Sequence, residues 1–176
     1  MATEQESVSF THMDLLLVNV SAEVVAIPIE SVREVIEFSK LTKVPMCPPV
    51  ISGVINVRGS VVPVVDAACR LGLDMPQDYD KYSCIILHET VNPKTLQTMI
   101  VGLVVSRVLA IQSVEEEHFY QKPAFGSHIP NEFIWQMVQL DTATVPVLVM
   151  SAMMDGVSIN DQMLTFQSGV LAKWES

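Results

Sequence analysis

The stretch Gly53-Val54-Ile55-Asn56-Val57-Arg58-Gly59-Ser60-Val61-Val62-Pro63-Val64-Val65-Asp66 sets two apolar, β-branched runs on either side of one Arg-Gly pair. Runs rich in valine and isoleucine are typical of strands, and glycine adopts a positive φ in a tight turn at little cost. The stretch therefore predicts a β-hairpin with Arg58 at its tip. A cation among residues that favour burial points to a protein partner rather than to catalysis.

The rest of the chain repeats this pattern of short apolar runs broken by turn residues. Strands are predicted at residues 15–20, 24–27, 84–87, 99–105, 108–111, 133–140 and 145–149. Many short strands, with turns roughly every ten residues, favour a sandwich or small barrels over a sheet of alternating strands and helices.

Helical signals are few and short. The spacing of apolar residues after Pro28 predicts a short helix beginning near Glu30. Asp66 is predicted to cap a helix at residues 66–71, with Gly72 just past its end. A further short segment is expected at residues 151–154. A terminal helix is predicted from Ile159 onward, and its apolar face is formed by Ile159, Met163, Phe166, Val170 and Trp174.

Length and charge narrow the class of protein. The 176 residues are 49% hydrophobic and carry a formal net charge of −10, enough for one sizeable domain or two subdomains that share a core. Nucleic-acid binding requires clustered cations, so this acidic chain is not expected to bind nucleic acid.

The apolar run at residues 99–105 is far shorter than the roughly 18 residues of a membrane span. The acidic start at residues 1–6 is unlike a signal peptide. We therefore expect a cytoplasmic protein without direct membrane insertion.

No motif of catalysis or cofactor binding stands out. The sequence has no Gly-x-Ser-x-Gly elbow, P-loop or Gly-x-Gly-x-x-Gly, and its histidines lack the spacing of metal ligands. The run Glu115-Glu116-Glu117-His118 is interpreted as a solvated acidic face, because consecutive acids do not converge on one point. We predict neither an enzyme nor a cofactor or metal.

Three cysteines, Cys47, Cys69 and Cys84, stand far apart without a Cys-x-x-Cys motif. A disulfide framework or zinc ribbon is therefore not expected, and Cys69 and Cys84 are predicted to be buried free thiols. Because catalytic Cys-His pairs meet only in space, a thiol-dependent enzyme remains the alternative from a different class.

Arg58 leaves two interpretations open. It could be structural, bonded to loop carbonyls or paired with Asp66. It could equally donate from its guanidinium fork to a partner's carboxylate or main-chain oxygens, and arginine is enriched at interface hot spots.

Several segments resemble the CheW-like domain of bacterial chemosensory systems. They are residues 26–36, 44–45, 48–59 and 62–66, which include the signature Gly-(apolar)-(apolar)-Asn-(apolar)-Arg-Gly. The resemblance implies an all-β fold of two SH3-like five-stranded β-barrels that share a hydrophobic core, with short helices and a C-terminal helix. We expect a disordered tail at 1–11, the domain at 12–158 and the terminal helix at 159–176. The two subdomains are expected at roughly 12–72 and 80–158, with terminal strands able to swap between them.

The resemblance also implies a non-enzymatic adaptor that joins the regulatory domain of a chemotaxis histidine kinase to the cytoplasmic tip of methyl-accepting chemoreceptors. Such a protein would be recruited to membrane-associated receptor arrays. The alternative is a CheW-like scaffold of a pilus or polar-localisation system with a different partner.

The implied partner-binding residues lie in the first half of the chain. Val32, Gly53 and Arg58 fall on motif positions tied to receptor or kinase contact, and Glu34 and Asn56 are predicted to belong with them. A structural role is also expected at the signature positions Asn56, Gly59, Pro63 and Asp66. In the second half, Gln136 stands where the family has glycine, which predicts altered backbone or packing at that strand.

Overall fold

The computed structural model describes residues 10–45, 48–73, 78–92, 94–122, 128–141 and 143–154. These residues form eleven strands: β1 (His12–Val20), β2 (Glu23–Pro28), β3 (Glu34–Glu37), β4 (Ile51–Val57), β5 (Ser60–Asp66), β6 (Cys84–Val91), β7 (Thr98–Val105), β8 (Arg107–Glu115), β9 (Phe119–Gln121), β10 (Ile134–Gln139) and β11 (Thr144–Leu148). Two short α-helices, α1 (Ala67–Arg70) and α2 (Met150–Met154), and the 3-10 turns Ile29–Ser31, Glu116–His118 and Asn131–Phe133 complete the described elements.

The strands form two curled sheets, which confirms an all-β fold with two subdomains. The first sheet has the order β8-β1-β2-β11-β10-β9, and the second has the order β3-β6-β7-β5-β4. The second sheet has the predicted five strands. The first has six, because the three-residue strand β9 pairs with β10 through Val138 and Phe119.

The division of the chain between the sheets differs from the predicted subdomains 12–72 and 80–158. Residues 34–105 supply the whole second sheet, whereas the first takes strands from 12–28 and from 107–148. Two parallel pairs produce this arrangement: β5 lies beside β7, and β11 lies beside β2. Because β5 pairs with β7, and β7 in turn pairs with β6, residues after 80 complete the sheet that begins at residue 34.

The predicted segments at the two ends of the chain fall only partly within the described residues. The predicted helix at 159–176 lies outside the described residues, as do residues 1–9 of the predicted tail. The last two tail residues are held in place. The Phe10 ring lies 5.1 Å from that of Phe119, and the Thr11 carbonyl accepts from the Glu116 N–H at 3.4 Å. The tail prediction therefore extended too far into the domain.

Three apolar clusters of described residues stabilise the fold. The largest joins the two sheets and includes Leu16, Val18, Leu103, Leu148 and Met153. A second fills the curl of the first sheet, with Leu15, Leu17, Val138 and Val147. A third fills the second sheet, with Val62, Val64, Ile85 and Val104. Adjacent residues of one strand alternate between clusters, so each sheet is buried on both faces over part of its length.

Local elements differ from the sequence prediction at β9 and the 3-10 turns near residues 116–118 and 131–133, which were not predicted, and most clearly after Pro28. There a single 3-10 turn, Ile29–Ser31, replaces the predicted helix, and β3 follows it. Pairing of Val35 with Ile86 places this segment in a sheet, so tertiary pairing overrides a weak helical spacing. Helix α1 begins as predicted, because the Asp66 carboxylate accepts from the Cys69 N–H at 3.1 Å.

The strand that carries Gln136 is irregular. The register between β10 and β11 shifts between Ile134 and Gln136, so Trp135 occupies a bulge. Whether this backbone differs from that of the family at Gln136 stays a prediction.

Candidate partner-binding site

The tip of the β4–β5 hairpin is a two-residue loop. Val57 pairs with Ser60, and the two residues between them both have left-handed backbone, with φ of +52° at Arg58 and +85° at Gly59. The Asn56 side chain, just before the loop, accepts a hydrogen bond through Oδ1 from the Gly59 N–H at 2.9 Å. Successive left-handed residues match the twist of the flanking strands, and Asn-Gly or Gly-Gly normally supplies them. An arginine at the first position is therefore unusual.

The Arg58 side chain is 74% exposed and reaches the first residue of β3. Its Nη2 lies 2.6 Å from Glu34 Oε1. Because β3 and β4 are the two edges of the second sheet, this ion pair spans the seam where the sheet closes on itself.

The suggested pairing of Arg58 with Asp66 is wrong. Asp66 is buried and accepts hydrogen bonds from the Cys69 N–H, from the Tyr79 hydroxyl at 2.8 Å and from the Ser52 hydroxyl at 3.4 Å. The carboxylate is held by neutral donors near α1, and its role is structural.

Gly53 lies underneath the site rather than on its surface. It is buried with φ of +152°, and a Cβ at this position would lie 2.6 Å from the Thr42 carbonyl oxygen. Thr42 and Val54 exchange two backbone hydrogen bonds of 2.9 Å each. This bridge joins the segment after β3 to β4, so Gly53 permits the close backbone contact that closes the second sheet.

Val32 is half-buried and packs against the shared core, two residues before Glu34. The preceding 3-10 turn is tied to β6, because His88 Nδ1 lies 2.7 Å from the Ser31 carbonyl oxygen. Arg33 forms an ion pair with Glu89 of β6. The hairpin and β3 thus bring Arg58, Glu34 and Asn56 together at one surface, with Val32 beside it and Gly53 beneath it.

Sequence reasoning missed exposed apolar residues. In β8, Leu109 is 49% exposed and Ile111 is 64% exposed, although both lie in the middle of a strand. Among the described strands β8 pairs with β1 alone and is an edge of the first sheet. The sequence feature that could have predicted this exposure is the polar pair Gln112 and Ser113, which indicates that part of β8 is in contact with solvent.

The thiols give no support to a thiol-dependent enzyme. Cys69 and Cys84 are free but half-buried, not fully buried as predicted. Burial raises the pKa of both thiols, and the nearby Asp66 charge raises the pKa of Cys69 further. A raised pKa disfavours the thiolate, which is the nucleophilic form. Cys47 lies outside the described residues.

The acidic run at residues 115–118 is exposed, in agreement with the predicted solvated face. The expectation that these groups do not converge is wrong, because ligand atoms of Glu115, Glu117 and His118 lie within 4.8 Å of one another, although all three side chains face solvent. In the part of the chain that the structure describes, no helix has the length and apolar character that a membrane crossing requires.

Comparisons with known proteins agree on one family. The sequence profile of the CheW-like domain matches residues 14–158. A probable chemotaxis protein CheW of Rhizobium etli is 28% identical over 140 residues, which are 80% of this chain and 86% of that protein. The chemotaxis protein CheW of Thermotoga maritima is 32% identical over 103 residues, 58% of this chain and 63% of that protein. The fold resembles the crystal structure of the scaffolding protein CheW from Thermoanaerobacter tengcongensis, with a TM-score of 0.71 and 24% identity over 83% of this chain and 94% of that one.

Proposed function

The chain belongs to the CheW-like domain family, and on this premise we propose that it couples methyl-accepting chemoreceptors to a chemotaxis-type histidine kinase. Membership of a family of chemotaxis adaptors confirms the prediction that the chain is not an enzyme. The adaptor acts by binding alone: one surface holds the kinase, another holds the receptor, and receptor conformation reaches the kinase through the protein between them. It does so in the cytoplasm, at membrane-associated receptor arrays.

The observation that carries the proposal is the conformation of Arg58. Left-handed backbone at a residue other than glycine costs roughly 1–2 kcal/mol. The ion pair with Glu34 offsets little of this, because an exposed pair contributes about 0–1 kcal/mol and Arg58 is 74% exposed. An asparagine would suit this turn better. Since the fold does not require arginine here, a contact with a partner is the better reason for its presence.

The surface around Arg58 suits the kinase regulatory domain. Arginine carries five N–H donors, and the contact with Glu34 involves one nitrogen at 2.6 Å, so donors remain for a second carboxylate or a main-chain oxygen. Arginine is among the residues enriched at binding hot spots.

The exposed part of β8 suits the receptor. The tip of a chemoreceptor is a helical hairpin, and such a hairpin can bury apolar side chains against Leu109 and Ile111. Exposed apolar residues grouped on one edge strand are expected to mark an interaction surface. The two partners would then occupy different sheets, and the shared core between the sheets would link them.

Binding measurements with purified fragments test the proposal. The protein is titrated with the regulatory domain of a histidine kinase and with a cytoplasmic receptor fragment from the same organism. Arg58→Ala is expected to weaken kinase binding about tenfold or more. Arg107→Ala is the matched control, because Arg107 is also an exposed arginine in an ion pair, with Asp80 at 3.0 Å, but belongs to the other sheet.

Both variants should keep a melting temperature within about 3 °C of the wild type. Wild-type protein that binds neither fragment would contradict the proposal. Capture of pilus-system or polar-localisation components in place of these fragments would favour the alternative scaffold.

A further inference from the structure

Asn56 makes a side-chain contact within the β4–β5 hairpin. It lies in β4, two residues before Arg58, and its side chain is exposed, so the core does not require it. Its Oδ1 accepts a hydrogen bond from the Gly59 N–H at 2.9 Å. In this hairpin the ladder pairs Val57 with Ser60, so Gly59 lies in the loop beyond the ladder. The side chain of Asn56, a residue of strand β4, therefore holds the backbone of the loop at Gly59.

The conformation that this bond holds determines where Arg58 points. The φ values of +52° and +85° define the twist of the loop and so the direction of the Cα–Cβ bond at Arg58. A loop with right-handed residues would give that bond another direction, so the contact of the guanidinium with Glu34 depends on the left-handed turn. Hairpins of this type usually place asparagine or glycine at the first loop position. This chain places arginine there and supplies an amide oxygen from residue 56.

We propose that Asn56 is a positioning residue: its bond to Gly59 holds the left-handed turn that aims the Arg58 guanidinium at Glu34 and at a bound partner. The inference rests on the proposed partner role of Arg58, but the turn itself can be examined in the isolated protein. The oxygen must lie at the reach of an asparagine or aspartate side chain. Aspartate at position 56 should therefore replace it, and alanine should not.

Nuclear magnetic resonance of the full chain provides the readout. A strong N–H to Hα nuclear Overhauser effect within Arg58 reports its positive φ, and effects between the Arg58 and Glu34 side chains report the ion pair. Asn56→Ala is expected to lose both signals, and Asn56→Asp to keep both. Ser60→Ala is the control, because Ser60 is an exposed polar residue of the same hairpin.

The same variants are then titrated with the kinase regulatory domain. The expected result is that Asn56→Ala weakens binding about five- to tenfold and Asn56→Asp less than about twofold. Unchanged Arg58 signals in Asn56→Ala, or an equal loss in Asn56→Asp, would overturn the inference. If the wild type binds no kinase domain, the proposed function fails, and the resonance signals still decide whether Asn56 positions Arg58.

Discussion

At the residue scale, a substitution of Arg58 can show that this side chain is not needed for the stability of the fold. Its φ of +52° is one that asparagine adopts more readily than arginine. We expect Arg58→Asn to raise the free energy of unfolding by about 0.5–1 kcal/mol, because relief of backbone strain exceeds the loss of an exposed ion pair. Urea denaturation measures the change. A loss of more than about 1 kcal/mol would restore the structural interpretation of Arg58.

Gly53 and Gly59 both have positive φ but differ in their surroundings. A Cβ on Gly53 would meet the Thr42 carbonyl oxygen at 2.6 Å, whereas one on Gly59 would meet no atom within 4 Å. We expect Gly53→Ala to destabilise the protein by about 2–4 kcal/mol and Gly59→Ala by about 1 kcal/mol. Thermal unfolding compares the two.

The role of Gly53 follows from the same pair of variants. If Gly53 acts through the backbone, Gly53→Ala should weaken partner binding only as far as it lowers the folded fraction. A folded Gly53→Ala protein with wild-type stability and no partner binding would contradict this and would make Gly53 a direct contact.

At the element scale, β8 combines an edge position with exposed apolar side chains. Replacing Leu109 and Ile111 together with serine should change the free energy of unfolding by less than about 1 kcal/mol, because both side chains are largely in solvent. The same change should weaken binding of the receptor fragment about tenfold or more. Leu96→Ser is the control, since Leu96 is 78% exposed and lies outside β8. Equal weakening by the control would indicate a nonspecific apolar effect.

Hairpins, caps and the solvated acidic face could be predicted because their signals are local. The β-branched runs around Arg58-Gly59 fix β4 and β5, and Asp66 fixes the start of α1.

Which strands lie side by side could not be predicted in this way. The parallel pairing of β5 with β7 depends on a shared core. The two strands are not joined by a short turn, so no local sequence signal predicts that they pair. The contact of Arg58 with Glu34 spans 24 residues and depends on closure of the sheet. The exposure of Ile111 was missed for the same reason, because an edge exists only once the neighbours are known.

At the scale of the whole molecule, the chain starts in one sheet, builds the other and then returns to the first. Arg70 marks the join between them. Its guanidinium donates to the carbonyls of Met153 at 3.1 Å and Ala152 at 3.3 Å, and lies 5.0 Å from the centre of the Phe133 ring. It thereby links α1, which follows β5 of the second sheet, to α2, which follows β11 of the first. These contacts hold the two subdomains together at their common boundary.

Half-buried tyrosine and cysteine side chains make the stability of the whole fold depend on alkaline pH. Tyr79 donates to Asp66 at 2.8 Å, and burial together with the Asp66 charge raises its pKa well above the ordinary range. Burial likewise raises the pKa of Cys69 and Cys84. The folded state therefore holds these protons more tightly than the unfolded state. The resulting stability is complete below about pH 8.5, and is lost as the pH rises past the unfolded pKa values of cysteine and then of tyrosine, near 10.

We expect the urea midpoint to fall steadily between about pH 8.5 and 11. Absorbance at 295 nm, compared between the wild type and Tyr79→Phe, should show that Tyr79 ionises only on unfolding, because burial and the Asp66 charge raise its pKa. Tyr79→Phe should be less stable at pH 7, since it loses the bond to Asp66, and its midpoint should fall less steeply with pH. Ionisation of Tyr79 while the protein is still folded would contradict this prediction, because it would mean that Asp66 and Tyr79 are open to solvent.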